Sequence, residues 1–203
     1  PLGIMINNRG ERFLDEGADF RNYTYAKYGA EILAQPQQAA WQIFDAKVPA
    51  MLRDEYRIRE VTRVQADELE SLAAKMDGVD AAGLLTTIDE FNKAVYTDTP
   101  FDPTVKDGRG TPGLAVPKTN WANPLDTPPF EAYGVTCGVT FTFGGLHVDP
   151  EARVIAQDGE PIPGLVAGGE LVGGLFYFKY PGGTGLTSGA VFGRIAGVRA
   201  AGS

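Results

Sequence analysis

The apolar positions along this chain change their spacing several times, and each change marks a different element. Leu69, Leu72, Ala73 and Met76 fall on one face behind the acidic pair Asp67 and Glu68, so the spacing predicts a helix that Gly78 ends. A second helix comes after it, with Asp80 placed to cap it and Leu84, Ile88, Phe91 and Val95 forming its buried stripe. Together they predict a helical hairpin whose apolar faces serve packing. Earlier in the chain, residues 2–7 and 11–15 are apolar-rich runs joined by Asn7-Asn8-Arg9-Gly10, which predicts a β-hairpin. A helix over residues 23–35, a buried strand over 41–45 and a short helix near Pro49 come next.

From residue 97 to 134 the periodicity disappears. Pro100, Pro103, Pro112, Pro117, Pro124, Pro128 and Pro129 remove backbone donors, so this stretch reads as a long crossover or functional loop. It carries Lys118, Asn120 and Trp121, which suit either a pocket wall or simple packing. Residues 135–143 are β-branched and aromatic and predict a strand broken by Gly144-Gly145. A hairpin over 146–148 and 153–156, turning at Asp149-Pro150-Glu151-Ala152, is expected next, and Asp158-Gly159 turns the chain again.

The C-terminal pattern differs in kind. An apolar run, Gly164-Leu165-Val166-Ala167-Gly168-Gly169, ends in the lone carboxylate Glu170, and the glycine-rich turn of Gly182-Gly183-Thr184-Gly185 opens a helix. Such an arrangement brings backbone N–H groups and one acceptor up to a ligand. Gly185, Gly189, Gly193 and Gly197 then recur every fourth residue and line one helix face, which fits close approach of a neighbouring backbone or a flat ligand. Arg194 and Arg199 interrupt the segment, so no membrane span is expected.

Composition narrows the classes. The 203 residues carry a net charge of −8, which argues against a nucleic-acid-binding surface. One cysteine, Cys137, and one histidine, His147, exclude an intrachain disulfide and a His/Cys metal cluster, and no metal is expected. The opening residues lack a basic leader and read as a strand already under way, which suggests a piece of a longer protein or a processed product in the cytoplasm.

In order along the chain, Asn7-x-x-Gly10-x-Arg12-Phe13-x-x-Glu16, Thr142-Phe143-Gly144-Gly145-Leu146, Gly164-Leu165-x-Ala167-x-Gly169-Glu170, Gly182-Gly183 and Phe192-Gly193-Arg194-Ile195-Ala196-Gly197 resemble the C-terminal part of the FAD-dependent fumarate reductase and succinate dehydrogenase flavoprotein superfamily. Within it, the stretch from Asp15 to Lys27, Pro117-Lys118-x-Asn120-Trp121-Ala122 and the stretch from Tyr180 to Gly189 look most like the tricarballylate dehydrogenase branch. The resemblance implies an α+β chain. Residues 1–115 would form a capping, substrate-holding domain of mixed helices and strands, and 116–203 the C-terminal hairpin, strand and helix of a Rossmann-like FAD domain.

The resemblance also assigns roles. Glu170 would bind the ribityl region of FAD, Gly182, Gly183 and Thr184 would shape the turn, and the backbone at Gly185 and Leu186 would meet the flavin ring. A helix N-terminus there would stabilise the negative charge of a reduced flavin. Arg21 would be the acid/base in a hydride transfer to flavin N5 that converts a polycarboxylate to its C=C product, with carboxylate binding as its competing role. The family's substrate-binding histidine and arginine fall here on Phe141 and Tyr180. That argues against fumarate or succinate and leaves Lys118, Arg109, Lys179, Thr142 and Tyr180 to hold the substrate.

The superfamily's Gly-x-Gly-x-x-Gly dinucleotide fingerprint is absent from these residues. FAD is therefore expected to be held by the complete protein and not retained by this chain alone. The alternatives are a non-catalytic truncated module and another flavin-dependent reductase or desaturase of the superfamily. The sequence does not identify the electron acceptor.

Overall fold

The computed structural model describes residues 1–139, 141–177 and 180–202. They fall into two compact units, Pro1–Cys137 and Gly138–Ser203. In the first, β1 (Ile4–Ile6), β2 (Ala39–Phe44), β3 (Arg63–Ala66) and β4 (Phe130–Thr136) form an antiparallel sheet of order β1-β2-β4-β3. Its helices are α1 (Arg21–Leu33), α2 (Leu69–Lys75) and α3 (Ala81–Ala94).

Alternation along β1 divides the core. Ile4 and Ile6 join Leu72, Met76, Leu84, Ile88 and Phe91 of the α2–α3 pair, whereas Met5 faces the other way to meet Leu14 and Ile32 of α1. The helical hairpin is therefore one face of the unit and α1 the other. Asp80 caps α3 as its sequence position suggests, its Oδ1 accepting the Ala82 N–H at 3.0 Å.

Two expectations change. Residues 11–15 do not form a second hairpin strand: one bridge, Ile6 to Arg12, survives, and β1 pairs with β2 instead. The reason is local, since the Arg12 side chain turns inward to a buried carboxylate. The strand expected over 135–143 begins earlier, at Phe130, and ends at Thr136; Pro128 and Pro129 mask its start. The first compact unit runs to Cys137. Residues 116–137 pack in it because β4 is a central strand and Trp121, Ala122, Leu125 and Phe130 are buried.

The second unit contains β5 (Arg153–Ile155), which pairs antiparallel with β6 (Pro161–Val166), and α4 (Thr184–Gly202). The expected turn at Asp149 to Ala152 forms, with Val148 bridged to Val154. Its core is small: Val154, Ala167 and Val172, with Val148 and Phe192 against them. Among the described residues no helix is long and apolar enough to cross a membrane.

Gly10 sets the approach of the first turn to α3. Its φ is +76°, and a Cβ built there would lie 2.2 Å from the Leu84 backbone nitrogen. Gly10→Ala is expected to cost at least about 2 kcal/mol through strain and displacement of backbone. Urea unfolding followed by circular dichroism measures this; a midpoint equal to that of the parent chain would mean that the turn does not sit as described.

Candidate functional site

In the first unit, the segment leading to Arg21 is fixed residue by residue. Glu16 Oε1 accepts the Met5 N–H at 2.8 Å and Arg12 Nε–H at 3.0 Å, while Oε2 accepts from Arg12 Nη2 at 2.5 Å. Both side chains are deeply buried, at 5% and 4% exposure. The same guanidinium donates to the Val116 carbonyl at 2.6 Å and lies 5.2 Å from the centre of the Phe91 ring.

The next residues are clamped by the proline-rich connection. Asp15 Oδ1 accepts the N–H of Gly17 at 2.8 Å and of Thr119 at 3.0 Å. Asn120 Nδ2 donates to the Gly17 carbonyl at 2.8 Å, and its Oδ1 accepts from Gly108 N–H. Gly17 has no room for a side chain, since a Cβ would come 2.3 Å from the Asn120 carbonyl oxygen. Phe20 then packs on Trp121, ring centres 5.2 Å apart, directly before Arg21 opens α1.

Arg21 is exposed, and among the described residues no hydrogen bond or ion pair engages its guanidinium. A cation in the first turn of a helix also lies at the unfavourable end of the helix dipole. Its backbone is thus held firmly, and its charge reaches the Glu55 carboxylate without a direct ion pair among the described residues.

Two other expected substrate cations are spent on backbone. Lys118 is 1% exposed, and its Nζ donates to the carbonyls of Pro1 at 2.5 Å and Gly3 at 2.6 Å. Burial pulls its pKa down to about 8, partly opposed by Glu16. These bonds tie the strand entering β1 to the connection. Arg109 Nε donates to the Ala122 carbonyl at 2.6 Å and Nη1 to the Thr99 carbonyl at 2.8 Å, closing the loop around Trp121. Lys179 lies outside the described residues.

The second unit brings together the residues expected at the cofactor. A single turn at Gly169–Leu171 presents Glu170, whose Oε1 accepts the Thr142 N–H at 3.2 Å. The Thr142 hydroxyl turns back to the Gly144 carbonyl at 3.2 Å. Gly145 and Gly173 meet without side chains between them: a Cβ on Gly145 would lie 2.3 Å from the Leu171 carbonyl oxygen, and one on Gly173 2.3 Å from Gly145 N. This contact lets Leu146 N–H reach Leu171 O at 2.8 Å and seats Glu170 beside Thr142.

At the start of α4, Gly183 has φ +88°, and the Thr184 and Thr187 N–H groups are taken by Pro181 O and Gly183 O. The remaining first-turn donors belong to Gly185 and Leu186, and Leu186 is 86% exposed. The glycine stripe has a divided explanation. A Cβ on Gly185 would touch the Phe141 ring at 3.8 Å and one on Gly189 the Gly169 Cα at 3.6 Å, both ordinary contacts, while those on Gly193 and Gly197 would meet nothing within 4 Å. The tight approach is demanded from the other side, by Gly168, whose Cβ would lie 2.9 Å from Gly193 N. Tyr180 packs edge-to-face on Phe141, ring centres 4.6 Å apart.

An exposed carboxylate suited to hydroxyl donors, beside unpaired N–H groups at a helix N-terminus, fits a polyhydroxylated chain attached to a ring with an anionic edge. The chain matches the model of the FAD binding domain family over residues 1–186. It belongs to that family, within the fumarate reductase and succinate dehydrogenase flavoproteins. It is 33% identical over 202 residues to a fumarate reductase (cytochrome) of Shewanella frigidimarina, covering 98% of this chain and 32% of that protein. Among solved structures it resembles the open conformation of a flavocytochrome c3 fumarate reductase, with a TM-score of 0.73, 31% identity, and coverage of 98% of this chain and 32% of that one. It also resembles the 3-ketosteroid Δ1-dehydrogenase of Sterolibacterium denitrificans in complex with 1,4-androstadiene-3,17-dione, with a TM-score of 0.69, 29% identity, and coverage of 100% and 39%. The chain spans about a third of the length of the two fumarate reductases named here. FAD is the cofactor of the parent protein.

Sequence reasoning missed the clamp formed by Asp15, Thr119 and Asn120, because its partners are about a hundred residues apart.

Lys118 supplies a pH-dependent test. Between about pH 8 and its ordinary value of 10.5 the unfolded chain holds more protons at this site than the folded one, so this group's contribution to stability rises with pH across that window. The Lys118 Cε resonance is expected to titrate with a midpoint near 8; a midpoint above 10 would place the ammonium in water.

Proposed function

We propose that this chain is the C-terminal part of an FAD-dependent oxidoreductase that interconverts a C–C single and double bond beside a carbonyl or carboxylate. The observation that carries this reading is the Glu170 carboxylate, 3.2 Å from Thr142 N–H, set with the Gly185 and Leu186 donors of α4. Glu170 would hold the hydroxylated chain of the cofactor, and the two N–H groups would stabilise the negative charge that its ring carries on reduction. When bound, FAD supplies the acceptor for the substrate's hydride.

Arg21 anchors the activating oxygen or exchanges the proton at the neighbouring carbon. Its fixed backbone and exposure support this assignment, and a guanidinium acts on protons only in an unusual setting. The sequence suggests a tricarballylate-like polycarboxylate. Such a substrate requires several cations, and Lys118 and Arg109 are already committed to carbonyls, so we propose a substrate with a single activating group for Arg21. The resemblance both to a fumarate reductase and to a steroid-ketone dehydrogenase supports the broader wording.

The complete protein, including a dinucleotide-binding segment, is expected to show a flavin spectrum, whereas FAD fluorescence stays unquenched on titration with these 203 residues alone. In the complete protein Arg21→Ala is expected to lower kcat at least about 100-fold with flavin content unchanged. An unaltered kcat/KM would remove Arg21 from the reaction, and a complete protein without a flavin spectrum would remove the reading itself.

A further inference from the structure

We propose that Trp121 is a positioning residue for Arg21: a strained turn of the proline-rich connection holds its indole against Phe20, and that contact sets where α1 begins and so where Arg21 stands. The inference deepens the proposed function and rests on it for the chemistry of Arg21.

Trp121 has a φ of +56°, in the left-handed region that bulky residues rarely occupy and that costs any residue with a side chain. The surroundings hold it there. Its N–H donates to Asp107 Oδ1 at 2.8 Å, which also accepts the Arg109 N–H at 2.9 Å, and Asp107 Oδ2 accepts the Asp102 N–H at 3.1 Å. The indole N–H is shared between the carbonyls of Asp102 at 2.9 Å and Val105 at 2.7 Å. Backbone and ring are each fixed by one loop, which wraps the side chain to 1% exposure. Core packing does not account for this, because among the described residues Trp121 joins none of the unit's three apolar clusters.

What the ring meets is Phe20, 5.2 Å away and tilted by 48°. Phe20 occupies the N-cap position of α1, where Ser, Thr, Asp or Asn would accept a first-turn N–H, and its side chain makes no such bond. The start of α1 is therefore not fixed by a cap of its own. The ring contact takes that part, since beginning the helix one residue earlier or later would draw Phe20 off the indole. Lys106, from the same loop, adds an ion pair to Asp19 at 3.3 Å. Arg21 is the first residue of α1, so the point where the helix begins is the point from which the guanidinium projects. Misplacing a reacting group by about 1 Å costs on the order of 100-fold in rate, which is a reason to hold a tryptophan in a strained conformation.

The test uses the complete flavoprotein, reduced anaerobically with stoichiometric dithionite and mixed with acrylate or with oxygen. Acrylate takes a hydride at its β carbon and a proton at its α carbon to give propionate, and the flavin returns to its oxidised form; oxygen reoxidises the flavin without delivery of a proton to carbon. Phe20→Leu, which keeps an apolar side chain and removes the ring, is expected to slow the acrylate reaction at least about tenfold, with flavin content and the oxygen reaction unchanged. The same substitution is expected to have no further effect in an Arg21→Ala background, and Trp121→Phe, which keeps a ring against Phe20, to retain most of the rate. In protein labelled with ¹⁵N-arginine, the backbone order parameter of Arg21 is expected to fall from about 0.85 to below about 0.6 in Phe20→Leu. An unchanged order parameter, an equal loss of rate in the Arg21→Ala background, or loss of flavin in Phe20→Leu overturns the proposal. Reduced parent protein that reacts with oxygen but not with acrylate counts against the proposed reaction instead, and the order parameter then decides the positioning role by itself.

Discussion

The functional end of the first unit depends on one buried carboxylate. Glu16 accepts from the backbone of β1 and twice from Arg12, and Arg12 extends that link to Val116 and to the Phe91 ring of α3. Three stretches that are far apart in sequence therefore share one charge pair. Burying such a pair gains little over apolar packing of the same volume, but removing either member leaves a charge without water or partner, at a cost of about 3–5 kcal/mol. What the pair provides is position. It fixes where residues 12–16 leave the sheet, and the Asp15, Asn120 and Trp121 contacts carry that placement forward to Arg21.

In the second unit steric exclusion plays the corresponding part. Gly145, Gly168 and Gly173 each sit where a methyl group would overlap neighbouring backbone. Bare backbone can approach bare backbone, and the turns that hold Glu170, Thr142 and the start of α4 are brought together without a large apolar core. The unit needs little core because its geometry is fixed by contact distance instead of by packed side chains.

Much of this was legible in the sequence, and the failures share a cause. The α2–α3 pair, the Asp80 cap, β2 and the helix at α4 are consequences of local periodicity and capping chemistry, which a short window contains. The exposed turn at Glu170 and the glycine turn that opens α4 were legible as local structure from a lone carboxylate and glycines. The contacts of Lys118 were not legible because the two carbonyls that enclose it lie more than a hundred residues away, and no local pattern distinguishes an ammonium that faces water from one that faces backbone. The Asp15–Thr119 clamp escaped for the same reason. The start of β4 was hidden by Pro128 and Pro129, which forbid regular pairing at their own positions and carry no information about the strand beyond them.

The place of β4 also bears on how the chain acquires its structure. Its registers run to Ala39–Phe44 on one side and Arg63–Ala66 on the other, so an inner strand of the sheet is the last of the four to be synthesised. Closing those ladders requires loops of many tens of residues, and contacts of such separation slow folding. As the polypeptide leaves the ribosome, β2 and β3 must wait with unpaired edges until Phe130–Thr136 arrives between them. During that interval α2 and α3, whose contacts are local, form first and shield the apolar face that the late strand will complete.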